Sequence, residues 1–563
     1  MTRASISSLS VCIALATGTV QAALDRTGDF AMLDDEGSFH QLSRYQHRKA
    51  VVLMSFSKNC PNMDKMMSSY KVLQEQYAEQ GFEFLLIDSQ GLNRQSLHEL
   101  SLGVPILQDD SLLVSEMLGL KSVGDVRVLN PDRLSVYYTG DAGPELGDTL
   151  SSILDAPVRN TVVTQNNSPC TIEYPTTVLH SQNVPSYTDD IAPIILENCA
   201  TCHRQFGVGP FALDSYVSLL GWSPMIKEVL LNKRMPPSQI DPAIGHSPSA
   251  RYIEPEEIQK LVHWLSAGAP RGEGPDPLEN FEFIETKEWV LGEPDFIVEA
   301  PAQAIPATGV LDYIYADVDL PFDEDKWVVA MQYQPVATSA LHHLMTFVTP
   351  AESDFWGEER IASTSTRRFL DGYSPGETRA EQFLEGTAVL IPKGSKLSMQ
   401  FHYVGIGAEL VDQTKIGFYF ADLDEIESLK ERLVQAVSAQ VTLPPFAYDV
   451  QAHAHYKFEE SVVISGVRAK MNARGKQMRF SVEHPDGRME DILSVPAYNY
   501  GWQPHYVLET PVEVPAGSTV HVTGAFDNSV SNPFNPDPST EVKSGFESWD
   551  ELFTGYFTFH KAD

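Results

Sequence analysis

Positive charge, cysteine and long apolar runs are all scarce in this chain. Lysine and arginine number 40 against 76 aspartates and glutamates, a net charge of −36 over 563 residues. A surface of that sign repels phosphate backbones and anionic lipid, which excludes nucleic-acid and membrane-surface roles and favours cations or basic partners. The five cysteines (Cys12, Cys60, Cys170, Cys199 and Cys202) are too few for a disulfide scaffold in an exported chain. No stretch reaches about 18 consecutive apolar residues, so no membrane-spanning helix is expected.

What is present begins with a leader. Arg3, the short apolar run Val11–Val20 and the small residues of Val20-Gln21-Ala22 read as a signal peptide over residues 1–22, cleaved before Ala23. The expected location is therefore periplasmic or secreted. Cys12 leaves with the leader. At about 150 residues per domain the length suggests roughly four domains.

Residues 24–155 alternate strand and helix. Val51–Phe56 is an apolar strand, Lys58-Asn59-Cys60-Pro61 a polar turn, Met63–Gln80 a helix and Phe82–Ile87 the next strand. Residues 156–185 read as a linker, on Asn166-Asn167-Ser168-Pro169 and scattered proline and threonine. Residues 186–275 are mostly helical, closing on an amphipathic helix from Pro255 to Leu265. Beyond a Pro/Gly-rich stretch at Gly268–Pro277, β signals dominate to the C-terminus. They suggest two sandwiches in series, over 281–430 and 440–560.

The helical region carries Cys199-Ala200-Thr201-Cys202-His203, a C-x-x-C-H motif. Two thiols at that spacing form thioethers to the heme vinyls, and the following histidine ligates iron. A zinc or redox CxxC is the plainer alternative. Met235, 33 residues beyond Cys202 in Lys233-Arg234-Met235-Pro236-Pro237, is placed as the second axial ligand. A thioether there raises the reduction potential. Met225 is a second candidate. The stretch Cys199–Pro270 resembles the bacterial cytochrome c domains that precede copper monooxygenase-like modules. The shared features are Gly209-Pro210-Phe211-Ala212-Leu213, Arg234-Met235-Pro236-Pro237 and Ala267-Gly268-Ala269-Pro270.

The β region carries five of the chain's 16 histidines as a pair, a single and a pair: His342-His343, His402, and His453-x-His455. On a strand, residues i and i+2 share a face, so His453 and His455 can share an ion. Adjacent histidines on a regular strand point apart. For His342 and His343 to reach one ion, the strand must end or bulge there. Imidazole clusters suit copper, zinc or iron.

This arrangement resembles the copper type II, ascorbate-dependent monooxygenases, the family of the peptidylglycine α-hydroxylating and dopamine β-monooxygenases. The resemblance spans roughly residues 290–560 and implies two jelly-roll-like domains. It implies one electron-relaying copper on His342, His343 and His402, and one oxygen-activating copper on His453, His455 and a methionine. The family's Asp-Glu-Met segment reads here Trp549-Asp550-Glu551-Leu552-Phe553, and leucine cannot ligate. Met471, Met478 and Met489 are nearby in sequence, with nothing to place them on the metal. Cysteine is absent from this region, so the family's disulfides are absent too.

Cys60-Pro61-Asn62-Met63 resembles a thioredoxin or peroxiredoxin-like active-site turn, a thiol at a helix N-terminus. Met63 stands where a second cysteine would be, and Val123-Gly124-Asp125-Val126 where a proline is expected. The readings are a degenerate docking domain or a one-cysteine peroxidatic site, with Cys170 a distant candidate partner.

The expected protein has an α/β thioredoxin-like domain, an all-α cytochrome c domain and two all-β jelly-roll-like sandwiches. It is an exported copper-dependent monooxygenase holding one covalent heme c and one or two coppers. It uses O2, an external electron donor and an unknown organic or peptide substrate. The alternatives are a heme c/copper electron-transfer or copper-binding protein with a decayed second site, and a copper sensor or carrier.

Overall fold

The computed structural model describes residues 25–563 apart from 157, 206, 238, 249, 251, 280, 282–288, 353–367, 376–379, 546 and 563. The signal peptide at 1–22 lies outside the described residues. Among those described, no helix is long and apolar enough to cross a membrane.

The N-terminal unit is a thioredoxin-like α/β domain. Its sheet runs in the order Asp25–Arg26, Ser135–Gly140, Val126–Asn130, Ala50–Phe56, Phe82–Asp88, Ile106–Leu107. Ala50–Phe56 and Phe82–Asp88 are parallel and joined by the helix Met63–Tyr77, the expected βαβ unit. All seven residues of Ala50–Phe56 are buried, as a central strand covered on both faces requires. The buried Tyr70 hydroxyl ties helix to sheet, 2.7 Å from Val52 O and 2.9 Å from Leu85 O.

Residues 156–185 are not a free linker. Val162–Val163 adds a parallel strand beside Ser135–Gly140, and Thr171 bridges to Ser122. Ile172 joins the domain's apolar core, and Pro175–Gln182 is helical. Scattered proline and threonine signalled a coil, but tertiary burial of Ile172 and pairing at a sheet edge overrode the local preference.

The helical unit contains Ala192–Asn198, Tyr216–Leu231 and Pro255–Ser266, packed around the fully buried Trp264. Pro255 occupies the first turn of its helix, where its missing N–H costs nothing.

Two β units follow. The first packs a four-stranded sheet (Ile314–Asp319, Lys396–Tyr403, Leu341–Thr349, Arg368–Tyr373) against a six-stranded one around Lys326–Gln334. The second has an inner sheet facing the first unit, in the order Leu433–Ala439, Phe553–Lys561, Val462–Met471, Tyr506–Val514. Its outer sheet is Val450–Lys457, Thr519–Phe526, Gly475–Glu483, Met489–Val495. The second unit starts at Leu433 rather than 440. Lys430–Glu431 still pairs with the first unit and Leu433 already pairs with Phe559, so the crossing takes one residue, Arg432. Composition gives no break across so short a passage.

Candidate functional site

Histidines 342, 343 and 402 converge in the first β unit. Leu341 pairs with Tyr403 and His343 with His402, and the register shifts between them. His342 is the extra residue of that bulge, the irregularity an adjacent pair needs to aim both rings at one point. The three ring centroids lie 4.9–5.3 Å apart, and one nitrogen from each lies within 4.8 Å of the others. All three side chains are buried, at 8%, 3% and 5% exposure.

Burial sets their protonation. Desolvation holds His342 and His343 well below the usual histidine range, and pulls His402 to about 4; the nearby Lys470 ammonium adds to each. Lys470 Nζ is 3.3 Å from His343 Nε2 and 2.8 Å from Gln503 Oε1, and burial lowers it to about 7. The imidazoles are therefore neutral at physiological pH, the form that ligates a metal. His342 Nε2 is buried with no hydrogen-bond partner. His342 Nδ1 lies 3.0 Å from His343 Nδ1, and three converging buried imidazoles with an unpartnered ring nitrogen among them fit a copper-type ion.

Tyr500, from the second β unit, closes this centre. Its ring lies 4.3 Å from that of His342, and its hydroxyl 3.3 Å from His402 Nδ1. Its neighbours Asn499, Gly501 and Trp502 line another space, an apolar cavity of about 420 Å³ in the helical unit. Cys199, Cys202 and His203 line the same cavity, and so do both candidate thioethers, Met225 and Met235. His203 Nδ1 donates to Phe211 O at 3.2 Å, which fixes the tautomer and leaves Nε2 for an axial bond. Two thiols, an oriented imidazole and an apolar chamber with thioethers fit a heme c.

His453 and His455 project together from Val450–Lys457, as the i, i+2 spacing requires. Ala454 between them points into the core. A third histidine stands opposite: His521 is the cross-strand partner of His455. His453 Nε2 and His521 Nδ1 are 3.0 Å apart, and the three centroids lie 5.2–6.0 Å apart. His521 Nε2 donates to Glu483 at 3.2 Å. The sequence reading passed over His521 as one of 11 histidines outside the pair–single–pair pattern. Strand alternation in Thr519-Val520-His521-Val522 was the available signal for its outward direction.

This cluster and the buried centre face opposite ways. The inner sheet of the second unit turns Arg468 and Lys470 toward the first unit, where Arg468 Nη2 meets Asp371 at 2.9 Å. His453, His455 and His521 leave the outer face of the other sheet. Leu552 is not beside them. It precedes Phe553 on the inner sheet, while its neighbour Glu551 is buried against the backbone N–H groups of Asn472 and Arg474. Aligning Leu552 with the family's methionine therefore does not locate a ligand position here. Met471 and Met478 are core residues; Met489 is exposed, two strands from His521.

Cys60 is buried at the N-terminal end of Met63–Tyr77 and forms a disulfide with Cys170, 110 residues away. The lack of a cysteine at Met63 is thus met from outside the βαβ unit. Val123 N–H donates to Cys170 O, and Gly124 N–H to Ser55 O, both at 2.9 Å. Gly124 has φ +86°, and a Cβ there would sit 2.2 Å from Met66 Sδ, so this turn requires glycine.

Asp371, Glu381 and His505 form one more donor cluster. Arg432 and Arg468 reach into it, at 3.2 Å from Glu381 and 2.9 Å from Asp371. Two guanidinium charges fill the place of a cation, so this is an ion-pair network joining the β units.

Residues 24–133 match the AhpC/TSA family. The chain thus contains a redoxin-type domain, of a class that points to oxidoreductase chemistry. Among solved structures, a hypothetical protein from Sinorhizobium meliloti 1021 is similar at 20% identity (TM-score 0.24), covering 27% of this chain and 94% of that one. Peroxidoxin BcpB from Mycobacterium tuberculosis is similar at 18% identity (TM-score 0.21), over 24% of this chain and 99% of that one. The thioredoxin domain of a thiol-disulfide oxidoreductase from Bacteroides vulgatus is similar at 13% identity (TM-score 0.21), over 24% and 98%. No curated protein matches the chain.

Proposed function

We propose that this chain is an exported copper-dependent oxidoreductase of the monooxygenase type, with a tethered cytochrome c-like helical unit and jelly-roll-like β units. Bound in these sites, a heme c would carry electrons from an external donor, and copper would use them with O2 to hydroxylate an organic substrate. The observation that carries this reading is the Asn499–Trp502 loop. One side of it lines the Cys199/Cys202/His203 cavity; the other sets Tyr500 against His342 and His402. Cys199 and Cys202 would hold the heme covalently, with His203 and either Met235 or Met225 as axial ligands. His342, His343 and His402 would hold the first copper, kept ready by burial that keeps all three rings neutral. Tethering donor and acceptor in one chain raises their effective concentration without new contacts.

One observation favours a second reading, a heme c/copper electron-transfer protein. The His453 cluster is on the far face of the second sandwich, beyond two sheets about 10 Å apart. O2 uptake by holoprotein loaded with heme and copper separates the two. Substrate-dependent uptake that needs a reductant and disappears in His453→Ala establishes the monooxygenase. Reoxidation of reduced heme by copper, without O2-dependent turnover, establishes the carrier.

A further inference from the structure

The family pattern leaves the His453-x-His455 site one ligand short, and Leu552 lies on the wrong sheet to supply it. We propose that His521 is the third ligand, making the outer face of the second sandwich an all-imidazole site for copper(II) or a similar borderline ion. The inference rests on the reading of His453 and His455 as metal ligands and replaces the sulfur of that reading with nitrogen.

Geometry carries it in three steps. His453, His455 and His521 leave one face of two adjacent strands, with His455 and His521 directly opposite. Imidazole–metal bonds of about 2.0–2.1 Å place two nitrogens of a shared ion about 3.0–3.4 Å apart. His453 Nε2 and His521 Nδ1 are already 3.0 Å apart, in hydrogen-bond contact, whereas the exposed His455 ring, its centroid 5.7 and 6.0 Å from theirs, would turn inward to bring its nitrogen to a shared ion. Glu483 supplies the third step. By accepting from His521 Nε2 at 3.2 Å, it holds the tautomer whose lone pair is on Nδ1, the nitrogen facing His453. A carboxylate oriented on the non-ligating nitrogen is the usual outer partner of a metal-bound histidine.

The donor set has a chemical consequence. A thioether is soft and favours copper(I), whereas three imidazoles suit copper(II) and zinc as well. This face therefore holds an oxidised ion more firmly than a two-histidine, one-methionine site would. It is also open: His453 and His455 are exposed, so the remaining coordination positions face solvent.

The test uses the full chain carrying His402→Ala, which removes the buried centre and leaves the outer face to be titrated alone with copper(II). One ion should bind, with nitrogen hyperfine structure in the electron paramagnetic resonance spectrum that counts three imidazoles. Adding His521→Ala should weaken binding at least about tenfold and reduce the count to two. Glu483→Gln should weaken it less while keeping three. These residues lie on solvent-facing strand positions, and an unchanged thermal midpoint of each metal-free variant checks that the fold is intact. Unchanged affinity and an unchanged nitrogen count in His521→Ala would overturn the proposal. So would the absence of binding to this face. Adding His453→Ala to the same His402→Ala chain, with His521 intact, reads the parent reading separately: loss of the outer-face ion supports it, and unchanged binding overturns it.

Discussion

Two clusters of three histidines occur in one molecule, one buried and one exposed, and the difference between them is instructive. The buried set needs an irregular strand, because His342 and His343 are adjacent and only the bulge brings their rings together. The exposed set needs none, because alternation and cross-strand pairing already align His453, His455 and His521. Burial gives the first set its neutrality and its isolation. The second is open to solvent, and its rings are ordered by each other and by Glu483. A relay benefits from enclosure, and a site that must admit a molecule benefits from exposure. Under the proposed function, the two clusters divide along that line.

The sharpest way to break the comparison is to remove one ligand from each side. His402→Ala should abolish copper retention at the buried centre, by more than about 100-fold in affinity, and leave the outer face unaltered. Metal analysis after dialysis against a chelator measures both. If both ions are lost together, the two sites are not independent.

Acid should separate the clusters next. His402 titrates near 4 in the folded protein against about 6.5 unfolded. The unfolded state therefore binds the extra proton first as pH falls. In the metal-free protein, the stability from a neutral His402 is complete above about pH 6.5. It is lost progressively down to about 4, to the extent of about 3 kcal/mol. Urea unfolding at several pH values should show this loss, and His402→Gln should reduce it.

Lys470 offers a smaller, pH-specific effect on the buried centre alone. Its ammonium, lowered to about 7 by burial, lies against His343 and opposes a bound cation while protonated. Lys470→Met should raise copper(II) affinity there by about tenfold at pH 6 and by little at pH 8, a direction set by charge repulsion in a low-dielectric site. Competition with a chelator of known affinity reads it.

The smallest effect is expected at Leu552. Leu552→Met should leave copper affinity and nitrogen count at the outer face unchanged, because the residue immediately precedes a strand of the other sheet. A gain of a sulfur ligand there would mean that the two faces approach each other in solution.

Much of this was legible in the sequence, for physical reasons that can be named. Period-2 alternation puts His453 and His455 on one side, and the adjacency of His342 and His343 demands a bulge. The strand–turn–helix around Cys60 follows from the apolar run 51–56 and the helical pattern after Pro61. A fixed CxxCH spacing places thiols and imidazole on one cavity wall. Other features depend on contacts between distant residues, which a local pattern does not encode. His521 is 66 residues beyond His455 and gains its meaning only from strand pairing. The Asn499–Trp502 loop looks like an ordinary turn until two units close around it. Leu552 shows the converse: a matched sequence segment carried a ligand position to a residue that the topology places elsewhere.

The reach of the redoxin domain past its family match has a further consequence, for the order of events as the chain is made. The match ends at 133, yet the domain's core includes Ile172 and its buried thiol waits for Cys170. Synthesis runs from the N-terminus, so about forty more residues must emerge before this first domain can finish folding. A fragment cut at 155 would leave Cys60 without its partner and a strip of apolar surface bare. The smallest piece with a chance of standing alone ends where the helical unit begins.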